Sequence, residues 1–396
     1  MIYLDHAATS YPKPPEVVAA VLHWYQDIGV SADRGEGPRT REAASVVQRV
    51  RQGIAAMTGH TADRVACNSG ATEGLNMVLR ALLDRGDRVV TTPFEHSSVV
   101  RPLLALRDER ALQLDVPTDG KSNGPTGDAS AGPTEGASAG PTEGASAGPT
   151  NDAVCAAIAQ HRPKVVVFSH ASNVTGAVFD AERICTVARE HGTISVLDAS
   201  QTAGYLSLDV GADVVVGSGH KAMHGPPGTG FVSVHRDLDM APQKHGGTGS
   251  SVALERHPTE WPQAFEAGTP NTPGIFGLAA AMDWLAVAGE ANLLQRSMHR
   301  LREVAAGLQR LDGFRVVEPG TQVRTPVLSF VHADYDPLEI GAILAANEIH
   351  ARAGFHCAPW IHEHLGTKAA GTVRIATGPE TSPADVEALL SVLASL

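Results

Sequence analysis

Paired cysteines are missing from this 396-residue chain: its four, Cys67, Cys155, Cys185 and Cys357, are scattered with no CxxC spacing. That pattern argues against a disulfide framework or a cysteine-rich zinc site, and it points to a reducing, cytoplasmic setting. No apolar run is long enough to span a bilayer, and the opening residues MIYLDHAATS lack the basic-then-apolar form of a secretory signal. Positive charge is scarce as well. With 31 Lys and Arg against 43 Asp and Glu the net charge is -12, which gives no electrostatic case for nucleic acid or an anionic membrane. Charged residues are only 19% of the chain and hydrophobic ones 43%, enough apolar surface for two domains with substantial cores.

One segment lacks everything a core requires. From Gly124 to Asn151 the chain repeats GPTGDASA, GPTEGASA, GPTEGASA and GPTN, with no aromatic or branched aliphatic residue. Such a segment cannot bury enough apolar surface to offset its ordering entropy, so residues 120–150 read as a disordered, flexible insertion without a catalytic role. The repeats do not predict a solenoid, because each unit would need an apolar face of its own.

What is present is organised around Ile194 to Gly230, ISVLDASQTAGYLSLDVGADVVVGSGHKAMHGPPGTG. A buried strand ends in Asp198, a polar turn carries Gln201, a second strand covers Val214 to Val216, and Ser218-Gly219-His220-Lys221 opens a Gly/Pro-rich loop. An acid at the carboxyl end of one parallel strand and a lysine just past the next face the same crevice. Pyridoxal 5'-phosphate needs that pair: a lysine amine to hold it covalently, and an acid to keep its ring nitrogen protonated. Alone, Lys221 would read as a surface lysine and Asp198 as a helix cap. Ser218 and His220 are expected to add phosphate contacts.

Other elements follow in order. Pro14 to Tyr25 and Glu42 to Thr58 have helical periodicity, and Val65-Ala66-Cys67 leads as a strand into NSGATEGLN. Small residues before a helix start leave free N–H groups for a phosphate, which assigns Ala71 and Thr72 to the cofactor. Asp87 to Thr92 predicts a strand followed by Pro93-Phe94-Glu95-His96, and Lys164 to Ser169 another, followed by HASNVTG with Asn173. An amide there can bond the cofactor's phenolic oxygen or a substrate carboxylate; the formal glycosylation sequon is set aside for want of an export signal. Strand and helix alternate from Asp87 to Val216, the pattern of a parallel sheet with crossovers. Ile275 to Ala288 and the helix Asn292 to Leu311 mark the passage to a smaller α+β unit. The resulting division is an arm, residues 1–20, a large domain, 21–275, and a small domain, 276–396.

The Ser-Gly-His-Lys run resembles the lysine segment of class V aminotransferases of fold type I, and within them the cysteine desulfurases. That resemblance covers nearly the whole chain apart from the repeats. It implies an α/β fold with a mostly parallel seven-stranded sheet in the large domain, and a homodimer in which Thr269 of FEAGTPNTPGI reaches the phosphate of the other subunit. It also implies that His96 stacks on the cofactor ring and exchanges protons with substrate, as a planar group titrating near neutrality can. ARAGFHCAPW resembles the loop that carries the desulfurase nucleophile, making Cys357 the residue that takes sulfur from L-cysteine, with His356 and a mobile loop favouring the thiolate. Arg374 matches the arginine that grips the substrate α-carboxylate. The other three cysteines read as structural. Two departures stand out: Arg34-Gly35-Glu36 is followed by Gly37 where desulfurases have histidine, and IATGPETS follows Arg374 where they have Tyr-Asn-Thr. The expected activity is removal of sulfur from L-cysteine to give L-alanine and a persulfide on Cys357 for an acceptor protein. Alternatives are a selenocysteine lyase, a cysteine β-lyase, or a decayed scaffold that binds the cofactor.

Overall fold

The computed structural model describes residues 1–32, 35, 37–118, 151–235, 238–249, 255–317 and 323–396. The octapeptide repeats lie outside the described residues, as do Arg34 and Glu36 of the loop with the missing histidine.

Seven strands form the central sheet, in the order Val65–Asn68, Gly230–Val234, Val214–Ser218, Ile194–Asp198, Val165–Ser169, Arg88–Val90 and Gln113–Asp115. All run parallel except Gly230–Val234, which is antiparallel to both neighbours. The α/β fold with a mostly parallel seven-stranded sheet is therefore as expected. Val165–Ser169 and Val214–Ser218 are buried along their whole length. They are unbroken apolar runs because helices cover both faces of the sheet. Alternation along the strand sorts the side chains: Val165 and Val167 enter one core with Leu75, Val78 and Leu103, while Val166 and Phe168 enter the other with Ile54, Ile158 and Ile184.

The helix Ala71–Leu82 starts against the sheet because Gly74 lets it. A Cβ there would lie 2.7 Å from Val216 Cγ1 and 2.9 Å from Val232 Cγ2. This close approach lowers the helix start to the level of the strand ends.

A second, antiparallel sheet holds Arg352–Gly354, Thr372–Ala376, Val327–His332 and Phe314–Val317 in that order. Leu301, Val304, Leu328, Phe330, Ile340, Leu344, Val373 and Leu389 form its separate core against three helices, Glu290–Leu308, Pro337–Ala346 and Pro383–Leu393. The amino-terminal strand is Ile2–Tyr3, and it pairs parallel with Ile349–His350. Ile349–His350 and Arg352–Gly354 are separate strands, because the chain changes partner at Ala351, from the arm to Thr372–Ala376.

Candidate active site

The carboxyl ends of the parallel strands deliver side chains into one cavity with a free volume of about 200 Å³, between the large sheet and the antiparallel one. Ala71, Thr72, His96, Asn173, Asp198, Gln201, Ser218, His220, Lys221 and Arg374 all line it, as do Arg352 and His356. Ten residues scattered over three hundred positions of sequence thus converge. Two expected site residues do not line it. Cys357 is exposed, and Thr269 lines a neighbouring hollow with Arg51, Asn68 and Glu73.

Lys221 follows the strand Val214–Ser218, and Asp198 ends the neighbouring strand. Burial pushes the Lys221 amine below the usual lysine range, and Arg374 and Arg352 push the same way against the pull of Asp198. A neutral amine is the nucleophilic form. Asp198 is buried; its Oδ1 accepts from the Ser200 amide at 2.9 Å and the Ser200 hydroxyl at 2.5 Å. Those two bonds fix the carboxylate and leave Oδ2 for the cavity.

His96 caps the helix Ser97–Arg110, its Nδ1 accepting from the Ser98 amide at 3.1 Å. An acceptor Nδ1 puts the proton of the neutral ring on Nε2. Burial, then the nearby Lys221 charge, pushes this histidine down to about 4, so it is uncharged at neutral pH. Gln201 donates Nε2–H to the Ala7 carbonyl at 3.0 Å, and the backbone carbonyl of His220 receives Ser10 N at 3.0 Å and Lys13 Nζ at 2.8 Å. The amino-terminal arm therefore closes one wall.

A bound pyridoxal phosphate fits these groups. Gly70, φ 145°, begins the helix Ala71–Leu82 with no side-chain cap, and only Ser218 Oγ receives the Ala71 amide, at 3.1 Å. First-turn N–H groups of such a helix are suited to a phosphate. A cavity-lining lysine without a hydrogen-bonded partner among the described residues, and a buried carboxylate with one oxygen free, complete the donor set.

The cysteine loop is tied to two distant segments. Asn173 Nδ2 donates to the His356 carbonyl at 2.7 Å, and the Ser97 amide donates to the Cys357 carbonyl at 2.7 Å. Both residues are left-handed, φ 51° for His356 and 56° for Cys357. Each such non-glycine conformation costs about 1–3 kcal/mol and persists only where its surroundings impose it. The His356 ring gives no charge to the thiol: it is buried, its Nε2 lies 2.9 Å from Thr372 Oγ1, and burial pushes it down to about 2. Positive charge near the sulfur comes instead from Arg352, whose Nη2 lies 3.8 Å from Cys357 Sγ. By contrast burial pushes the Cys67 and Cys185 thiols up to about 12, and raises that of Cys155.

Arg374 is 1% exposed. Its Nη2 donates to Asp5 Oδ1 at 2.5 Å and its Nη1 to the Asn173 carbonyl at 3.0 Å. Glu95, beside His96, is fully buried and accepts from Thr92 Oγ1, Ser169 N and Ser169 Oγ. Sequence reasoning singled out neither Asp5 nor Glu95, though both lay in quoted phrases; Asp5 meets its partner 369 residues away, so no local spacing marks it.

Comparison with known proteins agrees with this geometry. A probable cysteine desulfurase of Pyrococcus abyssi is 30% identical over 100% of this chain and 94% of its own length. One from Mycobacterium leprae is 31% identical over 93% of this chain and 85% of its own. Among solved structures, the apo cysteine desulfurase of Thermococcus onnurineus superposes with a TM-score of 0.86 at 28% identity, covering 100% of this chain and 94% of that one. A cysteine desulfurase of Escherichia coli, at 24% identity and TM-score 0.82 over 99% of this chain and 94% of that one, shares the fold. The family model for class-V aminotransferases matches residues 2–126 and 143–389, leaving out only the two termini and part of the octapeptide repeats. The chain belongs to the class-V aminotransferase family.

Proposed function

We propose that this enzyme is a pyridoxal phosphate-dependent cysteine desulfurase, which moves the sulfur of L-cysteine onto Cys357 and releases L-alanine. The observation that carries this reading is one cavity holding Lys221, Asp198, His96 and Arg374, with the exposed thiol of Cys357 on a loop pinned to the His96 helix. The alternatives, a selenocysteine lyase, a β-lyase or a decayed scaffold, are not favoured.

When bound, pyridoxal phosphate supplies an electron-withdrawing ring that stabilises charge at the substrate carbons. The protein's own residues do the rest. Lys221 would hold the cofactor and, once freed as an amine, would take and return the substrate α-proton. Asp198 Oδ2 would keep the ring nitrogen protonated, and Gln201 would add a cofactor contact. The amides of Ala71 and Thr72, with Ser218 and His220, would hold the phosphate; Thr269 of a second subunit would complete that grip in a homodimer. Arg374 and Asn173 orient the α-carboxylate. The Cys357 thiolate would attack the substrate sulfur: the substrate C–S bond breaks, an S–S bond forms, the electron pair passes to the carbon left behind, and that carbon is protonated, a role we assign to His96 Nε2–H. The persulfide is then available to an acceptor protein. Four free cysteines support a reducing, cytoplasmic location. Among the described residues no single helix is long and apolar enough to cross a membrane.

The test is mass spectrometry of the cofactor-loaded protein after brief exposure to L-cysteine, with an assay for alanine. A sulfur adduct on Cys357 together with alanine is expected. Pyruvate and free sulfide without an adduct would replace this reading with a β-lyase.

A further inference from the structure

Arg374 has a partner that the proposed chemistry does not use. The carboxylate of Asp5 lies 2.5 Å from its Nη2, and both side chains are almost wholly enclosed, 8% and 2% exposed. The Asn173 carbonyl holds Nη1 at 3.0 Å. A guanidinium has five N–H donors, and these two contacts engage one on each terminal nitrogen. Three donors remain, including a buried Nε with no protein acceptor. Two anchors on separate elements fix the plane of the group, and the unengaged donors are on a residue that lines the cavity.

Asp5 is itself locked in place by backbone. It bridges Ala376 in parallel, the Ala376 amide donates to the Leu4 carbonyl at 2.7 Å, and the His6 amide donates to the Ala376 carbonyl at 3.3 Å. Ala376 is two residues along the same strand from Arg374, so strand, arm and ion pair form one rigid unit. A carboxylate needs two parallel N–H groups at a set angle, and a long arginine side chain reaches that angle only when its other end is held.

We propose that Asp5 is a positioning residue for the α-carboxylate clamp, orienting Arg374 so that the site selects amino acids over amines and amides. This rests on the reading of the cavity as an amino-acid site. Asp5 touches neither substrate nor cofactor in this assignment; it acts through Arg374.

The test compares L-alanine with L-alaninamide, which differ only in the carboxylate, by titrating each into cofactor-loaded protein and following the visible absorbance. Parent, Asp5→Ala and Asp5→Asn are measured, with thermal midpoints as a check on folding. Asp5→Ala should weaken L-alanine by about tenfold or more and leave L-alaninamide within about twofold. Asp5→Asn keeps an acceptor for Nη2 and should restore most of the preference. Parallel weakening of both ligands, or an unchanged preference in Asp5→Ala, overturns the proposal. If Asp5→Ala does not fold, Asp5→Ser gives the same comparison with a polar atom retained. Neither ligand carries sulfur, so failure of desulfuration by the parent enzyme would be seen separately and would leave this result standing.

Discussion

Glu95 offers a test of the site's electrostatics that does not depend on turnover. Its carboxyl is 0% exposed, and burial, with a smaller contribution from Asp198, pushes it up to about 7 against the hydrogen bonds from Thr92 and Ser169. In the unfolded chain the same group ionises at 4.5. Between these values the folded protein binds the proton more tightly, so ionisation of Glu95 erodes stability as pH rises from the unfolded value through the folded one. Integrating over that interval, the penalty at pH 8 exceeds that at pH 5 by about 2–3 kcal/mol, at about 1.4 kcal/mol per pH unit. Glu95→Gln removes the ionisation and keeps most of the contacts: one amide oxygen can accept from Thr92 Oγ1 at 2.6 Å and the Ser169 amide at 3.0 Å, while the Ser169 hydroxyl turns to accept. The measurement is denaturant unfolding of parent and variant, both cofactor-loaded, at pH 5 and pH 8. Other titrating groups are common to both proteins and cancel in the difference. The variant should gain on the parent by about 2–3 kcal/mol between the two pH values. A difference independent of pH would mean that Glu95 is ionised throughout, and that burial does not govern its charge.

Lys221→Ala should fold with a thermal midpoint near the parent's but lose the visible absorbance of the bound cofactor; a variant that keeps it would remove Lys221 from its assigned role. Brief alkylation of the native protein, mapped by mass spectrometry, should label Cys357 first. Cys185 should stay unmodified until unfolding, because it is buried and burial pushes it up to about 12, which keeps the unreactive thiol form. Gly74→Ala should destabilise by about 1–3 kcal/mol through its contacts with Val216 and Val232, and should weaken phosphate binding as the helix start is displaced from the strand ends. Equal stability of parent and variant would show that the helix does not depend on that approach.

Local pattern made the large sheet legible. Unbroken valine runs such as Val165 to Val167 admit one environment, covered on both faces, and the residues after such strands in a parallel sheet fall on one edge. Asp198 and Lys221 were therefore readable as neighbours, as was the helix start at Ala71, whereas His96 rested on the family resemblance. Direction was not readable for Gly230–Val234, since an apolar strand looks alike in either orientation. The ties of the cysteine loop were not readable either, since Asn173 and Ser97, which bond its backbone, are distant in sequence. His356 was credited with assisting Cys357 because the two are adjacent in sequence; consecutive left-handed residues turn the ring toward Thr372. The ion pair of Asp5 with Arg374 lies beyond any periodicity, since it joins the start of the chain to its last strand.

That last pairing sets an order on synthesis. Every strand of the large sheet lies before His235, so a growing chain can assemble it early. Ile2, Tyr3 and Leu4 are made before the large sheet, yet their places, beside Ile349, His350 and Ala376, do not exist until long after that sheet has been made. At ordinary elongation rates the wait is about 20–75 s. Throughout it a strand edge and a buried-type leucine stand without partners, where another nascent chain could pair with them. A chain that stalls before Arg374 has its lysine and acid but no grip on the substrate carboxylate.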